Sequence, residues 1–242
     1  MTRHNRCVAL LVFLPLAAAA EEPDFTDDFP VEQCAFMPFG GNAYFSLMPG
    51  RRTYFDNSSC LASGECEERE DLIITVTSGV KKVWLDDDGK RRPVWTRVIV
   101  EEERENNELK EISRNYFAMC MPSRDVYYFG EDVDIYEDGR IVSHEGAWLA
   151  GRDGAEPGII MPDSAFILGQ RYYQEVAPGV ALDRAEHVAA GLEIDLHAGN
   201  FEDCLEVTET TPLEPGSEST KVYCPGVGMV IDNDLEAIAV ER

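Results

Sequence analysis

The stretch "YYFGEDVDIYEDGRIVSHEGAW", residues 127–148, predicts a β-hairpin. Asp138 and Gly139 form a two-residue turn signal, because a type I′ turn needs positive φ at both central positions and these residue types tolerate it. A turn there sets Glu137 opposite Arg140, which is a favourable cross-strand ion pair. Apolar and polar residues alternate on either side of the turn, as in a strand with one covered face.

The register of this hairpin predicts an apolar face. Val133 is set opposite His144 and Phe129 opposite Trp148, with Ile135 nearer the turn. A slip by one residue would mix the two faces, so the alternation supports this register. We expect His144 to be a core histidine with one backbone hydrogen bond, or else a ligand-facing or general-base histidine in a cavity.

The opposite face of the same hairpin collects acids. Asp132 is set opposite Glu145, with Asp134 adjacent. Like charges facing each other destabilise a sheet, and either a bound cation or a nearby arginine would relieve the repulsion. Calcium takes six to eight oxygen ligands, so these three carboxylates give only part of a shell, and their spacing is not that of an EF-hand. They are the candidate metal site, with residues 86–88 as further acids.

Strands and turns continue along the rest of the chain. The runs "DLIITVTSGVKKVWL" (71–85) and "PVWTRVIVEE" (93–102) are rich in β-branched and aromatic residues. Asp88 and Gly89 between them predict another tight turn, which sets Asp86 opposite Arg91. Short strands separated by turns every 8–15 residues predict a mainly β protein, an antiparallel open barrel, half-barrel or sandwich built of successive hairpins.

The chain is expected to contain one β-rich domain. An extended acidic lead-in at 21–41 precedes this domain, which spans 42–242 and includes a polar, cysteine-bearing insert at 56–70. Residues 1–20 have the pattern of a signal peptide: a basic start, a short apolar core and an alanine-rich end. We expect cleavage near Ala20 and a periplasmic or secreted bacterial protein without a membrane span.

The acidic composition limits the classes of partner. The chain has 46 acidic and 21 basic residues, and removal of residues 1–20 takes two of the arginines away. Such a charge repels nucleic acid and anionic membrane surfaces, and it favours cations or a basic protein partner. We expect a monomer, and we expect the charge itself to serve mainly solubility.

An even number of cysteines in an exported chain predicts disulfides. Six follow the signal peptide: Cys34, Cys60, Cys66, Cys120, Cys204 and Cys224. Cys60 and Cys66 flank a tight loop and should pair. Cys204 and Cys224 flank two strands around a Pro-Gly turn, which could bring them together. Cys34 then remains for Cys120. No C-x-x-C and no histidine pair has the spacing of a zinc site.

Several segments resemble a widespread family of exported bacterial proteins of unassigned function. The resemblance covers 42–50 and most of 127–232, and the order of its motifs is more specific than any one of them. The motifs are "YFGEDVDIYEDG", "HEGAW", "PGIIMP", "TPLEPG" and "YCPGVG". The chain also resembles half-barrel envelope proteins at the level of fold. It departs from the family in the insert at 56–70 and in Cys224, and the resemblance implies no catalytic residues.

Three functional hypotheses follow. The first is an exported, non-catalytic binding or envelope-associated protein for a hydrophobic or amphiphilic ligand, with a cavity lined by Phe129, His144, Trp148, Tyr172 and Tyr173. The second is a calcium or other hard-cation binding protein, and no other cofactor is expected. The third is a secreted hydrolase with a carboxylate or histidine site, although no G-x-S-x-G, P-loop or H-E-x-x-H motif occurs.

Overall fold

An antiparallel sheet of 16 strands curls into a nearly closed barrel. The computed structural model describes residues 24–242 apart from 88–89, 122 and 164–167. It confirms the predicted mainly β, antiparallel fold. The predicted signal peptide and the turn at Asp88 and Gly89 lie outside the described residues. Within the described part of the chain, none of the helices has the length and hydropathy needed to cross a bilayer.

Within residues 24–242, leaving out the undescribed gaps, the strands follow one another closely, with one short helix, α1 (Ser58–Ser63), and a 3₁₀ turn (Val31–Gln33) before the first strand. In chain order they are β1 (Ala35–Met37), β2 (Arg52–Asp56), β3 (Glu70–Asp87), β4 (Lys90–Glu105), β5 (Glu108–Met121), β6 (Val126–Glu137), β7 (Arg140–Ser143), β8 (Trp148–Leu149), β9 (Glu156–Met161), β10 (Arg171–Tyr173), β11 (Glu175–Val176), β12 (Arg184–Leu196), β13 (Gly199–Thr210), β14 (Glu218–Cys224), β15 (Gly228–Asp232) and β16 (Leu235–Glu241).

The barrel is closed by one short segment of chain. Strand β10 pairs with β12 at one end of the sheet, and β11 pairs with β9 at the other. Only Gln174 separates β10 from β11, so this segment joins the two ends. Gly158 of β9 lies against it, and a Cβ atom there would stand 2.4 Å from the backbone carbonyl carbon of Gln174. Glycine is therefore required at the point of closure.

The hairpin at 127–148 is present, with the predicted turn. Asp138 and Gly139 both have positive φ, 50° and 71°, and Glu137 pairs with Arg140. Tyr136 also pairs with Ile141, as the register predicts. Beyond Tyr136 the predicted register is wrong, because a β-bulge follows: Ile135 pairs with Ser143, one residue beyond the expected partner. A bulge adds one residue to one strand and moves every later partner.

The far end of the hairpin also differs from the prediction. Strand β7 ends at Ser143, and the chain rejoins β6 only at β8, where Trp148 pairs with Glu131 and not with Phe129. Leu149 pairs with Gly130, whose φ is 122°. A Cβ atom at Gly130 would lie 2.4 Å from the carbonyl oxygen of Trp148. This close approach of two backbones requires glycine, and it accounts for the changed register.

The acidic lead-in covers the outer side of β5 and β6. Its strand β1 pairs with β5, and the ring of Phe36 packs edge-on against Tyr127 and Phe129, with centroids 5.2 and 5.0 Å away. Arg92 of β4 donates hydrogen bonds to the carbonyl oxygens of Val31 and Cys34. The lead-in from residue 24 onward is therefore partly paired and packed, whereas the sequence predicted only an extended segment.

All three predicted disulfides are confirmed. Cys34 joins Cys120, Cys60 joins Cys66 and Cys204 joins Cys224. The first ties the lead-in to β5, the second closes the loop that contains α1, and the third links β13 to β14. Their sequence separations are 86, 6 and 20 residues.

The separations predict how much each bridge stabilises the protein. Loop-closure entropy gives about 4–5 kcal/mol for Cys34–Cys120 but only about 2 kcal/mol for Cys60–Cys66. We expect the double variant Cys34→Ser/Cys120→Ser to unfold about 4–12 °C below Cys60→Ser/Cys66→Ser, since 1 kcal/mol corresponds to about 2–4 °C in a chain of this size. Calorimetry of the two variants measures this difference. Equal melting temperatures would show that the lead-in contributes nothing to the fold.

Candidate ligand-binding cavity

Strand β4 carries glutamates on the same face as its buried apolar residues. Ile99, Glu101 and Glu103 alternate along the strand, so their side chains point the same way. The register with β5 sets Glu101 opposite Ser113 and Glu103 opposite Glu111. Glu101, Glu103, Glu111 and Ser113 line a cavity of about 230 Å³.

This cavity lies inside the barrel, because strands from its other side complete the wall. Glu209 of β13 and Lys221 of β14 line it as well, although several strands separate them from β4 in the sheet. We call it the acidic chamber. It is lined by a lysine, Lys221, and by seven carboxyl groups: Glu101, Glu103, Glu111, Glu131, Glu175, Asp183 and Glu209.

Enclosure in the barrel perturbs the carboxyl groups. Burial raises the pKa of Glu101 and of Glu103 to about 7, and neighbouring acids, including Glu111, add to the rise for Glu103. Burial, Glu101 and Glu111 together raise the pKa of Glu131 to about 8. The side chain of Glu103 is nonetheless exposed by area, because it faces a cavity that water can enter. Several of these groups therefore hold a proton near neutral pH.

Lys221 is the cation of the chamber, and two acids hold it. Its Nζ lies 3.0 Å from Oε2 of Glu209 and 3.8 Å from Oδ2 of Asp232. Burial alone would lower the pKa of Lys221, but Glu209 and Asp232 raise it well above the usual value. Gln174 of the closing segment donates a 2.6 Å hydrogen bond to Oε1 of Glu209. Glu209 and Asp232 thus already neutralise the charge of Lys221.

Glu175 is the most enclosed acid of the chamber, with 4% of its area exposed. Burial, followed by the nearby Asp183 and Glu131, raises its pKa well above the usual value. A hydrogen bond with Asp183 contributes to this rise in the pKa of Glu175. Its Oε2 atom is buried and receives no hydrogen bond from any described residue. A buried acceptor without a donor is uncommon in folded proteins.

An apolar cavity of about 100 Å³ adjoins the acidic chamber. Phe45, Ile74, Val76, Ile99 and Met229 line it, and we call it the apolar end. It shares wall residues with the chamber: Glu101, Phe117, Ile160 and Lys221. An apolar and an acidic compartment therefore meet inside one barrel.

The chamber has a mouth on the opposite side. A cavity of about 370 Å³ shares four acids with the chamber and is bordered by the loop between β13 and β14, which includes Leu213, Glu214 and Ser217. The shared acids are Glu131, Glu175, Asp183 and Glu209. The mouth, the acidic chamber and the apolar end thus lie in series.

The predicted ligand-lining aromatics are dispersed around the fold. Tyr172 is 3% exposed in a core cluster, and its hydroxyl lies 2.8 Å from Nε2 of the buried His187. Tyr173 points to the other face, where its ring centroid is 6.2 Å from that of Phe25. Phe129 is fully buried under the lead-in residue Phe36. None of the three predicted aromatics in this group borders the chamber, its mouth or the apolar end.

Trp148 and His144 are the other two residues that the sequence predicted to line a ligand cavity. Trp148 is buried against Tyr128 and borders a separate cavity of about 260 Å³, which also includes Glu131. The predicted place of His144 on an apolar face is wrong, because 67% of its side chain is exposed. Its Nδ1 lies 2.7 Å from the carbonyl oxygen of Val133, which is the expected backbone hydrogen bond. The bulge in the hairpin turns this histidine outward.

Two of the three predicted metal carboxylates, Asp132 and Asp134, have a cationic partner. Asp132 lies 3.1 Å from Nζ of Lys81 and accepts a short hydrogen bond from the Tyr116 hydroxyl. Burial acts to raise the pKa of Asp132, but these two hydrogen bonds bring it below its usual value. Asp134 lies 2.8 Å from Nη1 of Arg114.

The three carboxylates do not converge on one point. Asp134 also contacts Nδ1 of His144 at 3.0 Å, and Glu145 is exposed. Across the described residues, the only group of three or more candidate ligands with atoms within 4.8 Å of one another is Cys60, Cys66 and Asp234, and its two cysteines form a disulfide. A cationic partner, here Lys81 or Arg114, neutralises the acidic face.

The acids of the chamber were missed from the sequence, although a signal was present. In "RVIVEEERE", Ile99, Glu101 and Glu103 are every second residue of a strand, so their side chains lie on the same face of the sheet. If the side chain of Ile99 points into the barrel, those of Glu101 and Glu103 point into it as well. Lys221 is one of five lysines and stands in the same alternating series as the buried Tyr223. Because the chain has 46 acidic residues, its glutamates are expected to face solvent.

No family model, curated protein or solved structure matches this chain. The resemblance to exported bacterial proteins of unassigned function therefore stays a prediction. The assignment of a function rests on the geometry of the barrel interior.

The raised pKa values predict that stability falls as pH rises. A carboxyl group that ionises at about 7–8 in the folded state and near 4.5 in the unfolded state binds more protons when folded, so its contribution is lost with rising pH. Burial lowers the pKa of His187 to about 4, so this residue makes stability rise with pH. Its effect is confined to pH values below about 6.5, the pKa of an unfolded histidine. Between pH 6.5 and 8.5 we expect the melting temperature to fall, by about 2–4 °C for each kcal/mol by which the free energy of unfolding decreases.

Two variants test whether the acids of the chamber cause this dependence of the melting temperature on pH. Glu131→Gln should flatten the fall in melting temperature between pH 6.5 and 8.5, because the amide does not ionise. Glu202→Gln on the exposed part of β13 is the matched control and should keep the full slope. A melting temperature that rises across this interval in the unsubstituted protein would contradict the protonated state of the chamber.

Proposed function

We propose that this protein is an exported, non-catalytic β-barrel binding protein that holds an amphiphilic ligand inside the barrel. The observation that carries the proposal is the direct junction of an apolar cavity and a polar chamber, which share the wall residues Phe117 and Ile160. Ligand sites are concave, with apolar walls and a few oriented polar groups. A molecule with an apolar tail and a polar head matches the two compartments in order.

The three disulfides support the exported location. Structural disulfides persist in oxidising compartments such as the periplasm and the extracellular space. Cys34–Cys120 ties the lead-in to β5 and Cys204–Cys224 joins β13 to β14, and both bridges are buried. A periplasmic or secreted protein that carries an amphiphile through water fits this combination of compartment and cavity.

The hydrolase and calcium hypotheses have weaker support. His144 projects to the outside of the barrel and pairs with Asp134, away from the chamber. Of the carboxylates proposed for calcium, Asp132 is engaged by Lys81 and Asp134 by Arg114. Neither His144 nor these carboxylates line the chamber, and binding is the function that the junction of the two compartments supports best.

A fluorescent probe tests the cavity. The neutral dye N-phenyl-1-naphthylamine should bind with one-to-one stoichiometry and a blue-shifted emission, because the apolar end shields it from water. Ile74→Trp fills this end and should weaken binding at least about tenfold, the scale of 1.4 kcal/mol. Titration of the dye by fluorescence gives both affinities.

The control separates a filled cavity from an unfolded protein. Ile141→Trp places the same ring on an exposed position of β7 and should leave dye binding unchanged. Ile160→Trp fills the cavity from the opposite wall, so two independent variants report on one space. Dye binding that survives in both filling variants, with circular dichroism unchanged, would refute binding inside the barrel.

A further inference from the structure

We infer that the acidic chamber binds the protonated amine head of a cationic amphiphile, whose tail occupies the apolar end. The inference rests on the proposed function and goes beyond it by naming the chemical class of the head group. Four features of the chamber support it: its charge, an acceptor atom without a donor, the spread of its acids and its position beside the apolar end.

The first feature is an excess of acid over base inside the barrel. Seven carboxyl groups line the chamber, and the charge of Lys221 is already matched by Glu209 and Asp232. Charges interact more strongly inside a protein than in bulk water, so a cation that enters the chamber meets strong attraction. A carboxylate head group has the same sign of charge as these acids and is repelled by them.

The second feature is the Oε2 atom of Glu175. The residue is 4% exposed, lines both the chamber and its mouth, and this oxygen receives no hydrogen bond from any described residue. No hydrogen bond to this oxygen is made within the described residues, so it is open to a donor from a ligand. A ligand N–H group supplies the missing donor, and a charged donor makes the stronger hydrogen bond.

The third feature is the spread of the acids around the wall. Among the described residues, no group of chamber carboxylates brings three ligand atoms within 4.8 Å of one another. A hard metal ion needs several oxygens at about 2.0–2.6 Å, so this wall does not fit calcium or magnesium. An ammonium group has three diverging donors and fits separated acceptors.

The fourth feature is the position of the chamber between the mouth and the apolar end. Glu101 stands at the boundary, since it lines both the chamber and the apolar end. An alkyl tail at Ile74, Val76 and Met229 leaves its head group beside this carboxyl. The mouth on the other side is itself acidic, which attracts a cation and disfavours an anion.

The protonation of the chamber couples binding to pH. The charged and titratable groups that face it, its mouth or its apolar end come from six strands and three loops: Glu101 and Glu103, Glu111, Tyr128 and Glu131, Glu175, Asp183, Glu209, Glu214, Lys221 and Tyr223, and Arg51. Asp232 of β15 pairs with Lys221. Burial raises the pKa of Glu101 to about 7 and of Glu131 to about 8. A bound ammonium stabilises the ionised carboxylates, so protons leave on binding and affinity rises from pH 6.5 to 8.5.

A matched set of eight-carbon probes tests the inference by titration calorimetry. The probes are octylammonium, octyltrimethylammonium, octanol and octanoate. Octylammonium should bind at least about tenfold more tightly than octanol, a difference of about 1.4 kcal/mol, and octanoate should bind least. Octyltrimethylammonium has the charge without N–H donors and should bind between octylammonium and octanol.

The outcomes separate the two proposals. If none of the probes binds, the proposed function fails. If octanol and octylammonium bind equally at pH 8, the barrel holds amphiphiles but the acidic chamber does not select amines, and this inference fails alone. Heats measured in two buffers of different ionisation enthalpy must also show proton release with octylammonium and none with octanol; equal values overturn the coupling.

Variants locate the preference in the chamber. Glu131→Gln/Glu175→Gln should reduce octylammonium affinity at least about tenfold and leave octanol affinity unchanged, because the amides keep the volume but cannot ionise when an ammonium group binds. Glu202→Gln, exposed on β13, is the control and should match the unsubstituted protein. If circular dichroism shows that the double variant does not fold, Glu101→Gln alone gives the same comparison. An undiminished preference for octylammonium in the folded variants overturns the site.

Discussion

The structure depends on the burial of carboxyl groups inside a closed sheet. A barrel turns one face of every strand inward, so acids that share a face with core residues are enclosed with them. Glu101 and Glu131 are placed in this way, and burial raises the pKa of both toward neutral pH. Protonation lets the barrel hold these groups without metal ligation or a full set of salt bridges, since a buried neutral carboxyl costs far less than a buried charge.

Closure of the barrel is what makes the chamber. The segment from β10 to β11 joins the two ends of the sheet, and it carries Gln174 and Glu175 into the interior. Gln174 orients Glu209, which in turn holds Lys221. Gly158 allows β9 to approach this segment closely. The same few residues therefore complete the fold and shape the polar wall of the cavity.

Local signals in the sequence were sufficient for the fold class and for the covalent framework. Alternating β-branched residues indicated antiparallel strands, and the turn at Asp138 and Gly139 followed from the tolerance of these residues for positive φ. The loop closed by Cys60–Cys66 and the hairpin that bears Cys204–Cys224 are also local. Each of these predictions needed only neighbouring residues.

The site depended on features that no local pattern reveals. The bulge in the hairpin, and the meeting of Gly130 with the backbone of Trp148, moved the partners of β6 and turned His144 outward. Whether Glu101 faces water or a cavity depends on which strands stand across the barrel, and Lys221 of β14 is distant in sequence. An alternating pattern gives two faces but does not say which one the sheet curls around.

The central claim is that glutamates inside the barrel keep their protons near neutral pH. Carbon-13 NMR of protein labelled at the glutamate side-chain carboxyl carbon, followed from pH 4 to 9, measures this directly. The account predicts a small set of signals that titrate at about pH 7–8, one of which disappears in Glu131→Gln. If every glutamate signal titrates near its usual value of about 4.3, the chamber is not enclosed and the account is contradicted.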